Sequence, residues 1–263
     1  MKQRNIPQST EPAKLMADKR CAGKNRTVRI VMICLLMTVT AAGCYFAVRT
    51  YRELKPAIIA ENSYKKIRDK VADKVTREPD AGKLKEWNRD SIAWLSGPGT
   101  PIDYPVVQGK DNDYYLHHLS DGTPNEIGAI FLDYRNKADF SGDISVIYGH
   151  HITLNRMFSP LSQYKEQTYY NQYPYMVLYT PEQTYKIELF AGTILNGENE
   201  SFPMEFKRKK EKKEWIRKRM VESTFQSKVK PSAKDRIVVL CTCSYEFYNA
   251  RYAVYGRLIE MER

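Results

Sequence analysis

The pattern of apolar and polar positions divides the chain into three parts. Residues 30–48 are an apolar stretch of 19 residues without a charge. Residues 49–86 are charged and rich in helix-forming residues, and from residue 87 onward short apolar runs alternate with Gly, Pro, Asn and Asp. Short runs divided by turn residues are typical of the strands of a barrel or sandwich. The pattern therefore predicts a mainly β domain over residues 87–263.

The strand candidates of this domain are rich in β-branched and aromatic residues. They are residues 105–107, 129–132, 144–148, 175–179, 185–190, 237–240 and 252–259. A strong turn cluster at residues 96–101, Ser-Gly-Pro-Gly-Thr-Pro, precedes the first of them.

The apolar segment at residues 30–48 has the length of a membrane span. As a helix it would extend about 28 Å at ~1.5 Å per residue, close to the ~30 Å hydrocarbon thickness of a bilayer. Lys24, Arg26 and Arg29 lie just before it, and the positive-inside rule then places the N-terminal tail in the cytoplasm. A buried core helix is one alternative, and a signal peptide cleaved near the small residues 41–43 is another. We predict an uncleaved anchor.

Residues 49–86 predict a helical stalk that joins the fold. Their apolar positions recur at roughly helical spacing, so one face is expected to pack on the domain. These positions are Ile58, Ile59, Tyr64, Ile67 and Val71. The Pro-Asp-Ala-Gly sequence at residues 79–82 breaks the pattern.

The formal net charge of +11 does not indicate a nucleic-acid-binding protein. Much of the excess lies beside the apolar segment, because residues 1–50 carry nine Lys and Arg against two acidic residues. A second basic stretch, residues 206–220, predicts a solvated helix that packs through Trp215, Ile216 and Met220. The alternative is a surface that attracts anionic polymers of the cell envelope. No aromatic interleaving suggests base stacking, so we expect no nucleic-acid partner.

Reactive side chains are expected at the ends of neighbouring strands. The apolar run at residues 237–240 leads into Cys241 and Cys243, Arg251 precedes the next strand, and His150 follows Gly149 at the end of another. A nucleophilic cysteine acts as its thiolate, a minor form at neutral pH for an ordinary thiol of pKa ~8.5. A nearby imidazolium or guanidinium favours the thiolate, and an imidazole can protonate a departing amine. The arrangement predicts a cysteine-dependent active site.

Two other interpretations of the cysteines are weaker. A zinc site would use Cys241, Cys243 and the histidine pair His150-His151, but structural zinc sites usually space their cysteines by two to four residues. A disulfide between the two cysteines is disfavoured because same-face neighbours on a strand lie roughly 6.6 Å apart, whereas bridged Cβ atoms lie ~3.8 Å apart. We expect no metal and no cofactor.

At these residues the sequence resembles the sortases, and specifically class B sortases. Residues 239–243, Val-Leu-Cys-Thr-Cys, stand at the Thr-Leu-x-Thr-Cys motif of the family, with Val239 replacing the first Thr. The basic helix before the cysteine strand is similar to the helical insertion of class B, and the resemblance covers about residues 87–260. The other matching segments are Ser244 to Phe247, Arg251, Tyr148-Gly149-His150, residues 102–108 and residues 111–116.

The resemblance implies a mainly β fold. The expected architecture is an eight-stranded sortase-type β-barrel with N-terminal helices, a helix inserted before the nucleophile strand, and one N-terminal transmembrane helix. The expected order is a cytoplasmic basic tail (1–29), a transmembrane anchor (30–48), a helical stalk (49–86) and the catalytic domain (87–263). The protein would be a single-pass protein of the cell membrane, with its catalytic domain outside a Gram-positive-type membrane.

The resemblance also implies a transpeptidase. It would cleave a C-terminal sorting signal of the Asn/Ser-Pro-x-Thr-Gly/Asn type after Thr and transfer the protein to an amine of the peptidoglycan precursor or of a pilin. Cys243 would form the thioacyl intermediate, His150 would be the general acid and base, and Arg251 would hold the substrate backbone or the oxyanion. The implied substrate-binding residues are Asn112, Leu116 and Tyr148. An exported cysteine endopeptidase that uses water, and a non-catalytic membrane-tethered scaffold, remain as alternatives.

Overall fold

A computed structural model describes residues 11–73, 76, 78–152, 155–198 and 202–262, with the side chains of residues 11–27 left out. The chain divides into two compact units, Met1–Lys55 and Pro56–Arg263. The α-helices are α1 (Glu11–Val71), α2 (Leu84–Trp87), α3 (Gln167–Gln172) and α4 (Lys209–Val221). The strands are β1 (Ser91–Ser96), β2 (Asp103–Val107), β3 (Ile130–Leu132), β4 (Ile144–Tyr148), β5 (His151–Ile152), β6 (Arg156–Met157), β7 (Tyr175–Tyr179), β8 (Thr184–Asn196), β9 (Ile237–Cys243) and β10 (Ala250–Glu260). Short 3₁₀ segments lie at Ala81–Lys83, Tyr114–Leu116 and Ser159–Lys165.

Eight strands close into a barrel in the order β1-β2-β3-β4-β9-β10-β8-β7, which confirms the predicted fold. The pairs β2–β3 and β4–β9 are parallel, and the other pairs are antiparallel. Strands β5 and β6 form a separate hairpin directly after β4. The pairing of β4 with β9 places the segment around residue 150 beside the end of the cysteine strand.

Both faces of the first part of strand β9, residues 237–241, are covered, and this part is apolar. Val238 and Leu240 belong to the main core. Val239 and Cys241 belong to a second cluster that also contains Ile216 of helix α4. A strand buried on both faces needs an unbroken apolar run rather than an alternating one. This explains the continuous run of residues 237–240 in the sequence.

Several strand ends differ from the predicted ones. β9 continues through Cys243 and β10 begins at Ala250, so Cys243 and Arg251 lie within paired strands rather than beyond their ends. β8 is also longer than the predicted run at residues 185–190. Strand β1 was not among the candidates, since its last residue falls in the turn cluster at residues 96–101.

Helix α1 contains a segment, beginning at Val28, that is long and apolar enough to cross a membrane by length and composition. In its C-terminal part, Tyr64, Ile67 and Val71 are buried, as the helical spacing predicts. Ile58 and Ile59 are 46% and 41% exposed, so the prediction that they pack on the domain is wrong. A helix has room for only one contact stripe, and the buried residues Ala60, Tyr64, Ile67 and Val71 occupy it.

Helix α4 packs through two of the three predicted residues and through two charged residues that were not predicted. Ile216 is buried and Trp215 packs against the second cluster, but Met220 is 37% exposed. Lys212 and Arg219 are buried instead. The Lys212 ammonium lies 2.6 Å from a carboxylate oxygen of Asp143, and the Arg219 guanidinium lies 5.8 Å from the centre of the Trp215 ring. These two charged residues can be buried because Lys212 forms an ion pair with Asp143 and Arg219 packs on the Trp215 ring.

Candidate active site

One cavity of about 380 Å³ contains all the residues that the sequence assigned to catalysis and substrate binding. Its lining brings together segments from β3, β4, β9, β10 and the loop before residue 117. The lining residues are Asn112, Leu116, Phe131, Tyr148, Gly149, His150, Cys241, Thr242, Cys243 and Arg251. Phe131 and Thr242 were not predicted as lining residues. Thr242 lies inside the cysteine motif, and Phe131 meets a motif residue only because β3 pairs it with Tyr148 of β4.

The two cysteines of β9 lie in different surroundings. Cys243 is exposed, whereas Cys241 is only 1% exposed. Burial raises the pKa of the Cys241 thiol to about 12, although nearby Arg251 acts in the opposite direction. Desolvation penalises the charged form of a thiol, so Cys241 stays neutral at physiological pH. Cys243 is therefore the sulfur in this cavity that is accessible to a substrate.

His150 is held by a close approach of two strand ends. The Gly149 amide donates to the Cys241 carbonyl (3.1 Å), and the Thr242 hydroxyl donates to the Gly149 carbonyl (2.8 Å). A Cβ at Gly149 would lie 2.4 Å from Ile130 Cδ1 and 2.8 Å from the buried Phe158 ring, so a larger residue would force these core side chains to move. The two hydrogen bonds of Gly149 thus attach the backbone just before His150 to strand β9.

The orientation of the His150 ring is set by one hydrogen bond. Its Nε2 lies 2.9 Å from the Leu116 carbonyl oxygen. A carbonyl can only accept, so Nε2 carries the hydrogen of this bond. In the neutral ring Nδ1 is then the basic nitrogen, the one able to accept a proton.

The neighbouring His151 was not assigned a role from the sequence. Its Nδ1 lies 3.1 Å from the Cys243 carbonyl oxygen, and its ring packs edge-on against Tyr245. Burial lowers the pKa of His151, which favours the neutral ring. The sequence shows His151 only as the second histidine of a pair. Its contact with the backbone of Cys243 depends on the pairing of strands that are distant in the chain.

A buried carboxylate supports one wall of the cavity. Asp133 accepts hydrogen bonds from Arg135 at 2.9 and 2.7 Å, and the Tyr148 hydroxyl lies 3.4 Å from it. Burial acts to raise the pKa of Asp133, but the hydrogen bonds from Arg135 outweigh it and hold that pKa below its usual range. The Asn112 side chain accepts from the Tyr134 amide (3.0 Å). Two predicted substrate-binding residues are thus fixed by the segment after β3, which the sequence analysis did not identify.

The loop after strand β9 is tied to the rest of the domain by Lys165. Its ammonium lies 3.0 Å from the Ser244 hydroxyl and pairs with Glu246. Ser244 also bonds Glu246. This cluster holds the backbone immediately after Cys243 against the 3₁₀ segment Ser159–Lys165.

A thiol, an imidazole and a guanidinium around one cavity of a closed barrel form a set suited to acyl transfer. An accessible thiol can attack a carbonyl carbon, an imidazole can carry the proton, and a guanidinium can stabilise the charge that develops on the oxygen. The cavity and the fold together define a cysteine-dependent enzyme of the acyl-transfer class.

Comparison with known proteins agrees with this class. The family model described as "Sortase domain" matches residues 95–259. Sortase B of Listeria monocytogenes serovar 1/2a (strain ATCC BAA-679 / EGD-e) is 34% identical over 178 residues, which are 67% of this chain and 72% of that protein. A Staphylococcus aureus sortase B–substrate complex superposes with a TM-score of 0.71 at 25% identity, covering 77% of this chain and 97% of that one. A sortase B structure complexed with triglycine gives a TM-score of 0.70 at 25% identity, covering 77% and 98% of the two chains.

The chain belongs to the sortase family, as a class B sortase. It is accordingly a cysteine transpeptidase, as the resemblance at the cysteine and histidine motifs implied.

Proposed function

We propose that Cys243 is the nucleophile of this sortase, that His150 is its general acid and base, and that Arg251 stabilises the oxyanion or holds the substrate backbone. The observation that carries the proposal is the convergence of these three side chains on one cavity, in which Cys243 is the exposed thiol. The buried Cys241 has neither the exposure nor the ionisation that a nucleophile needs.

The reaction proceeds through a thioester. The Cys243 thiol gives its proton to His150 as its sulfur bonds to the carbonyl carbon of the substrate, and the negative charge that forms on the carbonyl oxygen is stabilised by Arg251. The carbon–nitrogen bond then breaks, and His150 gives a proton to the departing amine. An acceptor amine attacks the thioester, its proton passes to His150, and the sulfur of Cys243 leaves. Neither a metal nor an oxidant is needed to balance these steps.

The substrate we propose is a C-terminal sorting signal of the Asn/Ser-Pro-x-Thr-Gly/Asn type, cleaved after Thr. Support comes from the resemblance of the motifs to class B sortases and from the fold shared with the Staphylococcus aureus sortase B–substrate complex. Asn112, Leu116 and Tyr148 would bind the signal, since all three line the cavity beside Cys243. The acceptor would be an amine of a peptidoglycan precursor or of a pilin, which the similar fold of the sortase B complex with triglycine supports.

We also propose that the protein is a single-pass membrane protein with its catalytic domain outside. Residues 1–29 would be the cytoplasmic tail, 30–48 the anchor, 49–86 the stalk and 87–263 the catalytic domain. The length of the apolar segment and the basic residues before it support this arrangement. N-terminal sequencing of the mature protein from membranes tests it, and a chain that begins after Gly43 would favour a processed signal.

A peptide assay separates transpeptidation from the alternatives. Detergent-solubilised full-length protein is incubated with a fluorogenic sorting peptide, with and without an added amine, and the products are identified by mass spectrometry. A transpeptidase gives a peptide–amine product. Cleavage without any linked product would indicate an endopeptidase, and the absence of cleavage would indicate a scaffold.

A further inference from the structure

The C-terminal part of helix α1 contacts the two segments that lie on either side of His150. One is the loop of residues 117–129, which runs back toward Leu116, and the other is the β5–β6 hairpin directly after the histidine. Both belong to the unit Pro56–Arg263, as does this part of the helix. Resting on the role proposed for His150, we propose that Tyr64 of this helix is a positioning residue that holds the imidazole in its working orientation.

The His150 ring lies against the backbone of Gly128. Gly128 has a φ of +63°, and a Cβ there would lie 2.7 Å from the Leu116 carbonyl oxygen and 3.0 Å from His150 Cδ2. The same carbonyl lies 2.9 Å from His150 Nε2. The Gly128 backbone is therefore packed against both the imidazole and the acceptor that orients it, so its position controls where the ring lies.

A hydrogen bond from helix α1 holds Gly128 in place. The Tyr64 hydroxyl donates to the Gly128 carbonyl oxygen at 2.8 Å, and Tyr64 is buried. A buried carbonyl that loses its partner incurs the cost of its own desolvation, so the loop shifts to find another donor. Such a shift moves the backbone on which the His150 ring rests.

Tyr64 also reaches the other side of the histidine. Its ring packs edge-to-face against Tyr104 at 5.2 Å between centroids, and the Tyr104 hydroxyl accepts from the Met157 amide (3.1 Å). The next amide, that of Phe158, donates to the His150 carbonyl (3.1 Å). Tyr64 thus contacts Gly128, which packs against the His150 ring, and also Tyr104, which binds the backbone next to the amide that holds the His150 carbonyl.

Further contacts hold the helix in register with the same two segments. Asn125 donates to the Pro56 carbonyl (3.0 Å), Ser63 donates to Asp121 (2.8 Å), and Arg156 pairs with Glu61 (2.7 Å). These contacts keep the helix in place when the Tyr64 hydroxyl is removed, so Tyr64→Phe tests one hydrogen bond rather than the attachment of the helix.

The chain offers a matched control in Tyr164→Phe. Tyr164 is fully buried, and its hydroxyl also donates to a backbone carbonyl, that of Tyr173, at 2.8 Å. It does not line the cavity of Cys243. Both variants lose a buried tyrosine-to-carbonyl hydrogen bond, so both are expected to lower the melting temperature of the full-length protein by similar amounts.

The experiment combines turnover with the reactivity of the Cys243 sulfur. Tyr64→Phe is expected to lower kcat about tenfold with a smaller change in KM, because proton transfer by a positioned group contributes ~10²–10⁴-fold and only part of it is lost. Tyr164→Phe is expected to keep the wild-type kcat. The rate of Cys243 alkylation by iodoacetamide, followed by peptide mass spectrometry, gives a second readout that does not require turnover.

A double-mutant cycle shows whether Tyr64 acts through His150. His150→Gln is expected to slow alkylation of Cys243 strongly, Tyr64→Phe several-fold, and the double variant no more than His150→Gln alone. Equal alkylation rates in Tyr64→Phe and Tyr164→Phe would overturn the positioning role, as would an undiminished effect of Tyr64→Phe in the His150→Gln background. A Tyr64→Phe chain that fails to fold while Tyr164→Phe folds would make the hydroxyl a folding determinant instead.

The cycle also separates this inference from the function on which it rests. If His150→Gln changes neither turnover nor alkylation, the proposed acid–base role fails and the positioning role fails with it. If His150→Gln abolishes turnover while Tyr64→Phe behaves like Tyr164→Phe, only the positioning role fails.

Discussion

Cys243 and Arg251 lie directly opposite each other in the register of the antiparallel strands β9 and β10. Directly opposite residues project from the same face with Cβ atoms about 4.5–5.5 Å apart, so the guanidinium can reach the space above the thiol. Arg251 is also paired with Leu195 of β8, which makes it part of a three-stranded section of the barrel. The thiol and the guanidinium are thus spaced by strand pairing rather than by a flexible loop.

The difference between the two cysteines predicts opposite results for their substitution. Cys243→Ala should abolish formation of the thioacyl intermediate, whereas Cys241→Ala should retain it, because Cys241 is buried and neutral. Mass spectrometry of the intact protein after incubation with a sorting peptide detects the adduct. Trapping the peptide on Cys241 of the wild-type protein would overturn the assignment.

The chemistry of the guanidinium predicts that lysine cannot replace Arg251. Arginine presents a planar fork that can bind two acceptors, whereas lysine keeps the charge without the fork. If Arg251 stabilises the oxyanion, Arg251→Lys and Arg251→Ala should both lower kcat/KM by roughly 10²-fold or more. Steady-state kinetics with one peptide tests this, with circular dichroism as the check on folding. A fully active Arg251→Ala would leave a mechanism of Cys243 and His150 alone.

The position of the Arg251 side chain also predicts an effect at Gly197, a residue that does not line the cavity. A Cβ at Gly197 would lie 2.7 Å from Arg251 Nε and 3.0 Å from the Asn249 carbonyl oxygen. Gly197→Ala should therefore displace the guanidinium and lower kcat/KM by about tenfold or more, since small misplacements in a site can cost up to ~10²-fold. Gly142→Ala is the control, because its Cβ would have no neighbour closer than 3.9 Å. Equal kinetics for the two variants would show that Arg251 tolerates the displacement.

The buried ion pair beneath helix α4 predicts unequal effects of its two partners on stability. Asp143→Asn leaves the Lys212 ammonium buried without a counter-charge, which should lower the free energy of unfolding by about 3–5 kcal/mol. Lys212→Met should cost much less, because the partly exposed Asp143 still accepts from the Phe206 amide. Chemical denaturation of the full-length protein in detergent at pH 7 measures both values. A larger loss in Lys212→Met would contradict the reasoning.

The same ion pair predicts a dependence of stability on pH. Burial acts to raise the pKa of Asp143, but the hydrogen bonds from Lys212 and the Phe206 amide, together with the nearby lysine charges, outweigh it and lower that pKa. A carboxyl whose folded pKa is depressed stabilises the fold fully above its unfolded pKa of ~3.9, and the contribution is lost as pH falls through the lower folded pKa. Asp143→Asn should therefore show a smaller loss of stability between pH 5 and the acid range than the wild-type protein. Parallel acid unfolding curves for the two proteins would exclude this contribution.

Much of the fold, and several residues that line the candidate site, could be predicted from the sequence, because both depend on local patterns. The runs at residues 144–148 and 175–179 coincide with β4 and β7, since β-branched and aromatic residues between turn signals suffice to specify a strand. Cys243, His150 and Arg251 could be proposed as reactive residues because each lies at or near the end of such a run. The single apolar segment of membrane-spanning length is likewise a property of consecutive residues.

The tertiary structure decided the features that depend on residues far apart in the chain. Lys212 and Arg219 are buried, while Met220 is partly exposed, because partners such as Asp143 arrive from distant segments. Asp133 becomes a support of the cavity only when it approaches Tyr148. A side chain's hydrophobicity is a local property, but its burial, its partners and its pKa are set by strand pairing between segments that the order of residues does not reveal.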